Sequence, residues 1–199
     1  MSKKGVKEPD SGKHHDRMAS FKAKFLPQGG GMLGCVDVGN QAEWWDYGRL
    51  ELYLKNNFLL TDASSSAHML RTFLQLQDPS NHEDLASRQQ WNSFTDVEVD
   101  PSAVVLNCRI AKGKIGPGCV LVNVVAPEVD LEGCILVKVS TTKPVKGKGG
   151  LLYNVVEEKG EELRCDAVRA DIFMPGGVHH KVYSDRSTDG GKAWKETLP

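Results

Sequence analysis

The chain has 199 residues, 40% of them hydrophobic, and its 25 Lys+Arg against 26 Asp+Glu leave a formal net charge of -1. That is apolar material for one ordinary domain or two small ones, with no overall basic field to draw the chain to nucleic acid or to an anionic membrane. No apolar run approaches the roughly 18 residues of a transmembrane helix, and the opening Met1–Pro9 stretch has no apolar segment behind it to make a secretory or transit signal.

In chain order, residues 1–20 carry almost nothing apolar beyond Val6 and Met18, which predicts a disordered N-terminus. The run Gly34-Cys-Val-Asp-Val-Gly39 reads as a short strand between turn residues, and Trp44-Trp45 follows it. After Gly48, Leu50, Tyr53, Leu54 and Phe58 recur at steps of three and four and predict a helix over 49–60. Met69, Leu70, Phe73, Leu74 and Gln77 predict a second over 67–77, with Ser65 or Ser66 as its N-cap and Asp78-Pro79-Ser80-Asn81 as its stop. A third, over about 82–92, would carry Leu85 and Trp91.

From residue 95 the texture changes. Apolar residues recur about every six positions, as Val99 and Val105, Ile115 and Leu121, Val129 and Ile135, with small or turn-forming residues between them. A hexapeptide period means short parallel strands stacked in coils around a continuous apolar column, and the small fifth positions Ala103, Cys119 and Gly133 suit the corners. In this register Val105, Ile115, Leu121, Val129 and Ile135 point inward, and Ala111-Lys-Gly-Lys and Pro127-Glu128 are insertions that loop outward. An antiparallel sandwich with Gly/Pro turns is the competing architecture. Beyond Ser140 the repeat degrades through a basic loop, 143–150, and Leu151–Val156 reads as another strand. A hairpin turning at Pro175-Gly176-Gly177 would cap the solenoid, and 184–199 would be a flexible tail. The five cysteines are odd in number and widely spaced, without a C-x-x-C pair, and read as reduced, mostly buried residues of a cytoplasmic protein.

The expected fold class is therefore α+β, a small helical part over 33–93 followed by a parallel β-helix with its cap over 94–183. The order of two features carries a family resemblance. Trp44-Trp45-Asp46-Tyr47-Gly48 leads directly into a helix containing Tyr53-Leu54-Lys55-Asn56-Asn57, and a hexapeptide β-helix follows. This resembles the C-terminal part of the sugar-1-phosphate nucleotidyltransferases, in which a W-x-D-x-G turn closes the catalytic domain ahead of a left-handed β-helix. Trp44, Asp46 and Gly48 match the motif, whereas Arg49-Leu50 stands where the family usually has Thr or Thr-Pro. The resemblance spans about residues 33–155.

It implies an enzyme joining a nucleoside triphosphate to a sugar 1-phosphate, with Asp46 as one of two Mg2+-binding aspartates, Trp44 lining the sugar pocket and Gly48 allowing the sharp turn. The chemistry needs such a cation, because two anionic phosphates must be brought together for in-line attack. The family's glycine-rich G-G-x-G-T-R loop has no counterpart in this sequence, since Leu26–Met32 follows no strand and lacks the arginine. No catalytic residue is therefore assigned, and the chain is expected to be inactive by itself. Two readings compete for the turn itself: metal chemistry at Asp46, or a packed Trp pair beside an Asp that caps the following helix. Two further function classes stay open. One is a non-catalytic interaction or regulatory module that assembles with itself or with a catalytic partner through the β-helix. The other is a hexapeptide acyltransferase, which would need a coil histidine, yet none of His14, His15, His68, His82, His179 or His180 falls within the hexads.

Overall fold

A computed structural model describes residues 8–26, 34–40, 42–76 and 91–184. The predicted helix at 82–92 lies almost wholly outside the described residues, as does the tail beyond Ser184. The chain divides into two units, 1–42 and 43–199.

Within the stretch 1–20 expected to be disordered, the described residues from Glu8 onward are helical. Helix α1 spans Glu8–Phe25, with basic residues Lys22 and Lys24 in its last turn, where they complement the helix dipole. Its support is local: the rings of Phe21 and Phe25 pack one turn apart, tilted by 37° with centroids at 4.7 Å, and Arg17 reaches His14 at 2.8 Å. Such i,i+3 and i,i+4 pairs are invisible to a count of apolar residues. The stretch 34–39 forms no strand; the amide of Gly39 turns back to Asp37 Oδ1 at 2.8 Å.

The second unit is a parallel β-solenoid. Its strands are β1 (Ser93–Val99), β2 (Val104–Leu106), β3 (Arg109–Ile115), β4 (Val120–Glu132), β5 (Ile135–Thr141), β6 (Val145–Lys148), β7 (Leu151–Tyr153), β8 (Val156–Glu157), β9 (Leu163–Arg164), β10 (Val168–Met174) and β11 (Val178–Ser184). Every pairing is parallel except β10 with β11. Stacked partners are commonly sixteen positions apart, as in Val97↔Gly113↔Val129↔Val145. The antiparallel sandwich is thereby excluded.

Three stacks of rungs make three faces. One runs Val104↔Val120↔Ile135↔Leu151↔Val168, a second runs Arg109↔Val125↔Ser140↔Val156, and the third runs Lys114↔Asp130↔Lys146↔Arg164. The supposed insertions prove to be strand: Ala111-Lys-Gly-Lys lies within β3 and Pro127-Glu128 within β4. Here the coil bends without looping out, which Gly113 permits. Its φ is +117, and a Cβ built on it would lie 1.9 Å from the Val129 carbonyl oxygen, a separation only glycine avoids.

One corner is built from left-handed residues at matching heights, Asn107, Asn123, Lys138 and Asn154, all with φ near +54. Asparagine tolerates this conformation best among residues with a side chain, and Asn107 Nδ2 donates to Asn123 Oδ1 at 2.6 Å along the stack. On the outer surface of the third face most rung partners are oppositely charged, the stack of Arg164 on Lys146 excepted. Lys112 pairs with Glu128 at 3.0 Å, Lys114 with Glu98 at 3.6 Å and Lys148 with Glu132 at 2.6 Å. Exposed pairs of this kind contribute little each, about 0.2–1 kcal/mol, but they penalise a slipped register.

The interior is a continuous apolar column that includes Val105, Ile115, Leu121, Val129 and Leu136. Four of the five residues expected to point inward do so. Ile135 does not: Leu136 stacks on Leu121 in the interior, and Ile135 stacks on Val120 on the outer surface of the first face. Leu131, and not Val129, continues the Val99–Ile115 stack at the usual spacing of sixteen, and the corner after it is one residue shorter than its predecessors, so that Cys134, not Gly133, occupies the corner position above Cys119. Cys108, Cys119, Cys134 and Cys165 are buried free thiols and Cys35 is exposed, matching the reduced, mostly buried reading. Burial pushes the Cys108 and Cys119 thiols up to about 11, which leaves them unreactive near neutral pH.

The outward residues of the first face are not left to solvent. Helix α2 (Leu50–Leu59) and helix α3 (Ser65–Phe73) cover them, burying Leu54, Leu60 and Leu70 against Val104, Val120, Ile135, Leu151 and Val168. The predicted α2 is therefore observed. The second helix begins two residues earlier and ends four earlier than expected, because its N-cap is Ser64, whose hydroxyl accepts from the Ala67 amide at 3.3 Å. Buried Arg71 ties the link between the helices, donating to the carbonyls of Leu60 at 2.9 Å and Asp62 at 2.6 Å.

The far end is closed as expected by the β10–β11 hairpin, whose turn uses Gly176 and Gly177 at positive φ. Its inward residue above Leu152 is Arg169, so the apolar column ends on a charge. Arg169 donates through Nε and Nη2 to both oxygens of buried Asp171 at 2.8 Å, and through Nη1 to Glu157 at 3.0 Å. Lys181 also bonds Glu157, and His179 Nε2 meets Asp171 at 2.8 Å. No helix among the described residues is long and apolar enough to cross a membrane.

Candidate functional site around the Trp-Trp-Asp-Tyr-Gly turn

The turn that carries the resemblance lies at the N-terminus of α2, and its geometry follows from short-range bonds. Asp46 Oδ1 accepts from the Gly48 amide at 2.7 Å, closing an Asx turn. From the other side, the buried Asn56 side chain donates from Nδ2 to the Asp46 carbonyl at 2.7 Å. The helix thus fixes the turn that precedes it. The helix-capping version of the packing reading is corrected by this arrangement, since Arg49 is the N-cap of α2 and no side chain bonds the first turn.

Asp46 is exposed, and its second carboxylate oxygen has no partner among the described residues. Trp44 and Trp45 part company. Trp44 is 88% exposed, whereas Trp45 is half-buried with its ring 5.7 Å from that of Phe73. Among the described residues no group of three or more His, Cys, Asp or Glu side chains could hold a metal ion. Asp46 by itself fits one ligand of a Mg2+ site completed by other groups, which is the usual way that ion binds, through one or two carboxylates together with substrate phosphates and water.

Beside the turn, α2 and the outer surface of the first face border an open cleft of about 370 Å³. Gly48 lines it and Trp44 does not, so of the two residues expected to bind substrate only one borders the cavity. The walls include the phenols of Tyr47, Tyr53 and Tyr153, with Tyr47 and Tyr53 edge to face at 5.9 Å. Burial, and then the neighbouring phenols Tyr153 and Tyr47, raise the Tyr53 hydroxyl above its ordinary value, so it stays protonated as a donor. Arg49 stands at the same cleft.

The sequence pointed to the turn but not to the cleft. Tyr153 and Arg49 carry no motif; their meeting depends on which outer rung the helix covers. The fold and site together define a three-faced parallel β-solenoid with a helical layer on one face, a charged end cap and an aromatic cleft at the layer's edge. No family model, curated protein or solved structure matches this chain.

Proposed function

We propose that this chain carries the C-terminal part of a sugar-1-phosphate nucleotidyltransferase, its solenoid wound left-handed, which forms a nucleotide sugar and diphosphate when a loop for the triphosphate is supplied. The observation that carries the reading is the W-x-D-x-G turn. It is held by Gly48 from within and Asn56 from the following helix, with the Asp46 carboxylate left facing solvent. The second carboxylate oxygen, without a partner among the described residues, leaves the group able to take a metal, a use the turn itself does not make of it. Mg2+ would neutralise the phosphates, and Asp46 would provide one of its carboxylate ligands. The chain's own contribution is to hold that carboxylate in a fixed orientation and to anchor the catalytic half on a rigid solenoid.

The test is complementation. The purified chain is mixed with a nucleotidyltransferase half that bears the glycine-rich loop, and diphosphate release is measured with Mg2+, nucleoside triphosphate and sugar 1-phosphate. Turnover in the mixture and in neither part alone is expected. Absence of turnover across the common base and sugar combinations, with the two chains shown to associate, would remove the reading.

One observation favours a second reading, a non-catalytic assembly module. The helical layer exposes Trp44, Met69, Phe73 and Leu74, an apolar surface that a partner chain could cover. Association without turnover is the result that reading expects.

A further inference from the structure

The cleft beside α2 has a composition that the nucleotidyltransferase reading does not use. Its lining combines the aliphatic residues Leu50, Leu151, Ala170 and Ile172 with the three tyrosines. Two charged residues border it. Asp171 has no exposed side-chain surface and gives its carboxylate to Arg169 and His179, so it offers the cleft no free charge. The Arg49 guanidinium, by contrast, is exposed and has no ion pair or hydrogen bond among the described residues. A single unpaired cation thus stands at an open cleft lined by aromatic and aliphatic residues, of a size that suits a small ligand.

We infer that this cleft binds a planar aromatic or heteroaromatic ring bearing a negatively charged group, with the ring between the tyrosines and the anion on Arg49. The mostly apolar lining argues against a bare sugar phosphate, whose hydroxyls would lose water without finding enough partners. The phenols supply edge and face contacts to a ring and can hydrogen-bond its heteroatoms. Guanidinium pairs a phosphate or carboxylate in a planar, two-pronged fashion, and this pairing selects charged rings over neutral ones. The site is separate from the Mg2+ chemistry proposed for Asp46 and needs no catalytic half.

Isothermal titration of the full chain with six probes tests this. Adenosine 5′-monophosphate and phenyl phosphate carry ring and charge; adenosine and phenol carry the ring alone; inorganic phosphate and glucose 1-phosphate carry charge without an aromatic ring. Saturable binding of at least one ring anion is expected, about tenfold or more tighter than its uncharged counterpart. Saturation by both ring anions assigns a general aryl-anion site, and saturation by the nucleotide alone narrows it to nucleotides; either supports the inference. Arg49→Ala is expected to bring the ring anion down to the affinity of the neutral ring, and Tyr153→Ala to weaken both. Both positions are exposed, and melting curves verify that the variants fold. The inference is overturned if no ring anion saturates by about 5 mM, or if binding is indifferent to both substitutions. It is equally overturned if glucose 1-phosphate or phosphate binds as tightly as the ring anions. Tight glucose 1-phosphate binding alone would sink this inference and leave the nucleotidyltransferase reading standing.

Discussion

Asp46 serves a local bond with one carboxylate oxygen and leaves the other to solvent. Its Oδ1 closes the turn onto the Gly48 amide while the carboxylate remains exposed. Asparagine retains an oxygen at that place but removes the charge. In the complemented enzyme, Asp46→Asn is therefore expected to lower turnover by about tenfold or more, a barrier change of roughly 1.4 kcal/mol, and to raise the Mg2+ requirement, with the melting temperature nearly unmoved. Unchanged turnover and Mg2+ dependence would leave Asp46 a turn residue only. Gly113 is the opposite case, a position with structure and no chemistry. Gly113→Ala must displace the Val129 carbonyl from the path of a Cβ, at a backbone angle side chains rarely adopt, and a loss of more than about 2 kcal/mol is expected in urea denaturation. A shift of the midpoint no larger than that of an exposed control such as Lys112→Ala would contradict the geometry of β3.

At the scale of the element, adjacent residues of β5 face different layers. Leu136 fills the solenoid, and Ile135 meets α2 and α3. Both are fully buried, so truncation alone would not tell them apart, but a buried charge would. Leu136→Asp is expected to abolish the fold. Ile135→Asp is expected to release the helices while the coils stay formed, seen as loss of amide protection in 50–73 with protection retained in β3 and β4 by hydrogen exchange. Equal loss across both layers would show that the helices and coils fold as one unit. The same layering explains why α2 was plain in the sequence and the end of α3 was not. The apolar spacing of Leu50, Tyr53, Leu54 and Phe58 reports one buried stripe, whereas Phe73 and Leu74, which seemed to extend the second stripe, are exposed.

For the whole molecule, the closing charge cluster sets how stability responds to acid. Burial alone would raise the Glu157 carboxyl, but the hydrogen bonds from Lys181 and Arg169 outweigh it and hold the group at about 2. The unfolded chain would titrate this group near its ordinary value of about 4.3. A carboxylate depressed on folding contributes stability that is complete above the unfolded value and lost as pH falls through the folded one. The midpoint of thermal unfolding is therefore expected to drop between about pH 4 and pH 2, and Glu157→Gln to flatten that part of the curve at the expense of stability at neutral pH. An identical acid profile in the variant would assign the loss to other carboxylates. Replacing Arg169 by Ala leaves buried Asp171 with His179 as its remaining side-chain partner and is expected to cost about 3–5 kcal/mol by chemical denaturation.

The sequence by itself determined the solenoid, because a six-residue apolar period with small corner residues has few other ways to bury its apolar side, and it determined the closing hairpin through Pro175-Gly176-Gly177. It also marked Asp46 and Gly48, since a Trp-rich turn before a strongly periodic helix is a local pattern. Only the tertiary structure decided the rest. One missing corner residue moved Ile135 from the interior to the helical layer, and a period count cannot register a deletion that keeps an apolar residue at the same position. Helix α1 formed where composition predicted disorder, through ring and side-chain pairs one turn apart. The cleft itself arises because α2 lies across rungs about a hundred residues further along the chain, bringing Arg49 and Tyr53 to Tyr153. Contacts of that separation are fixed by packing of whole elements, and no local spacing encodes them.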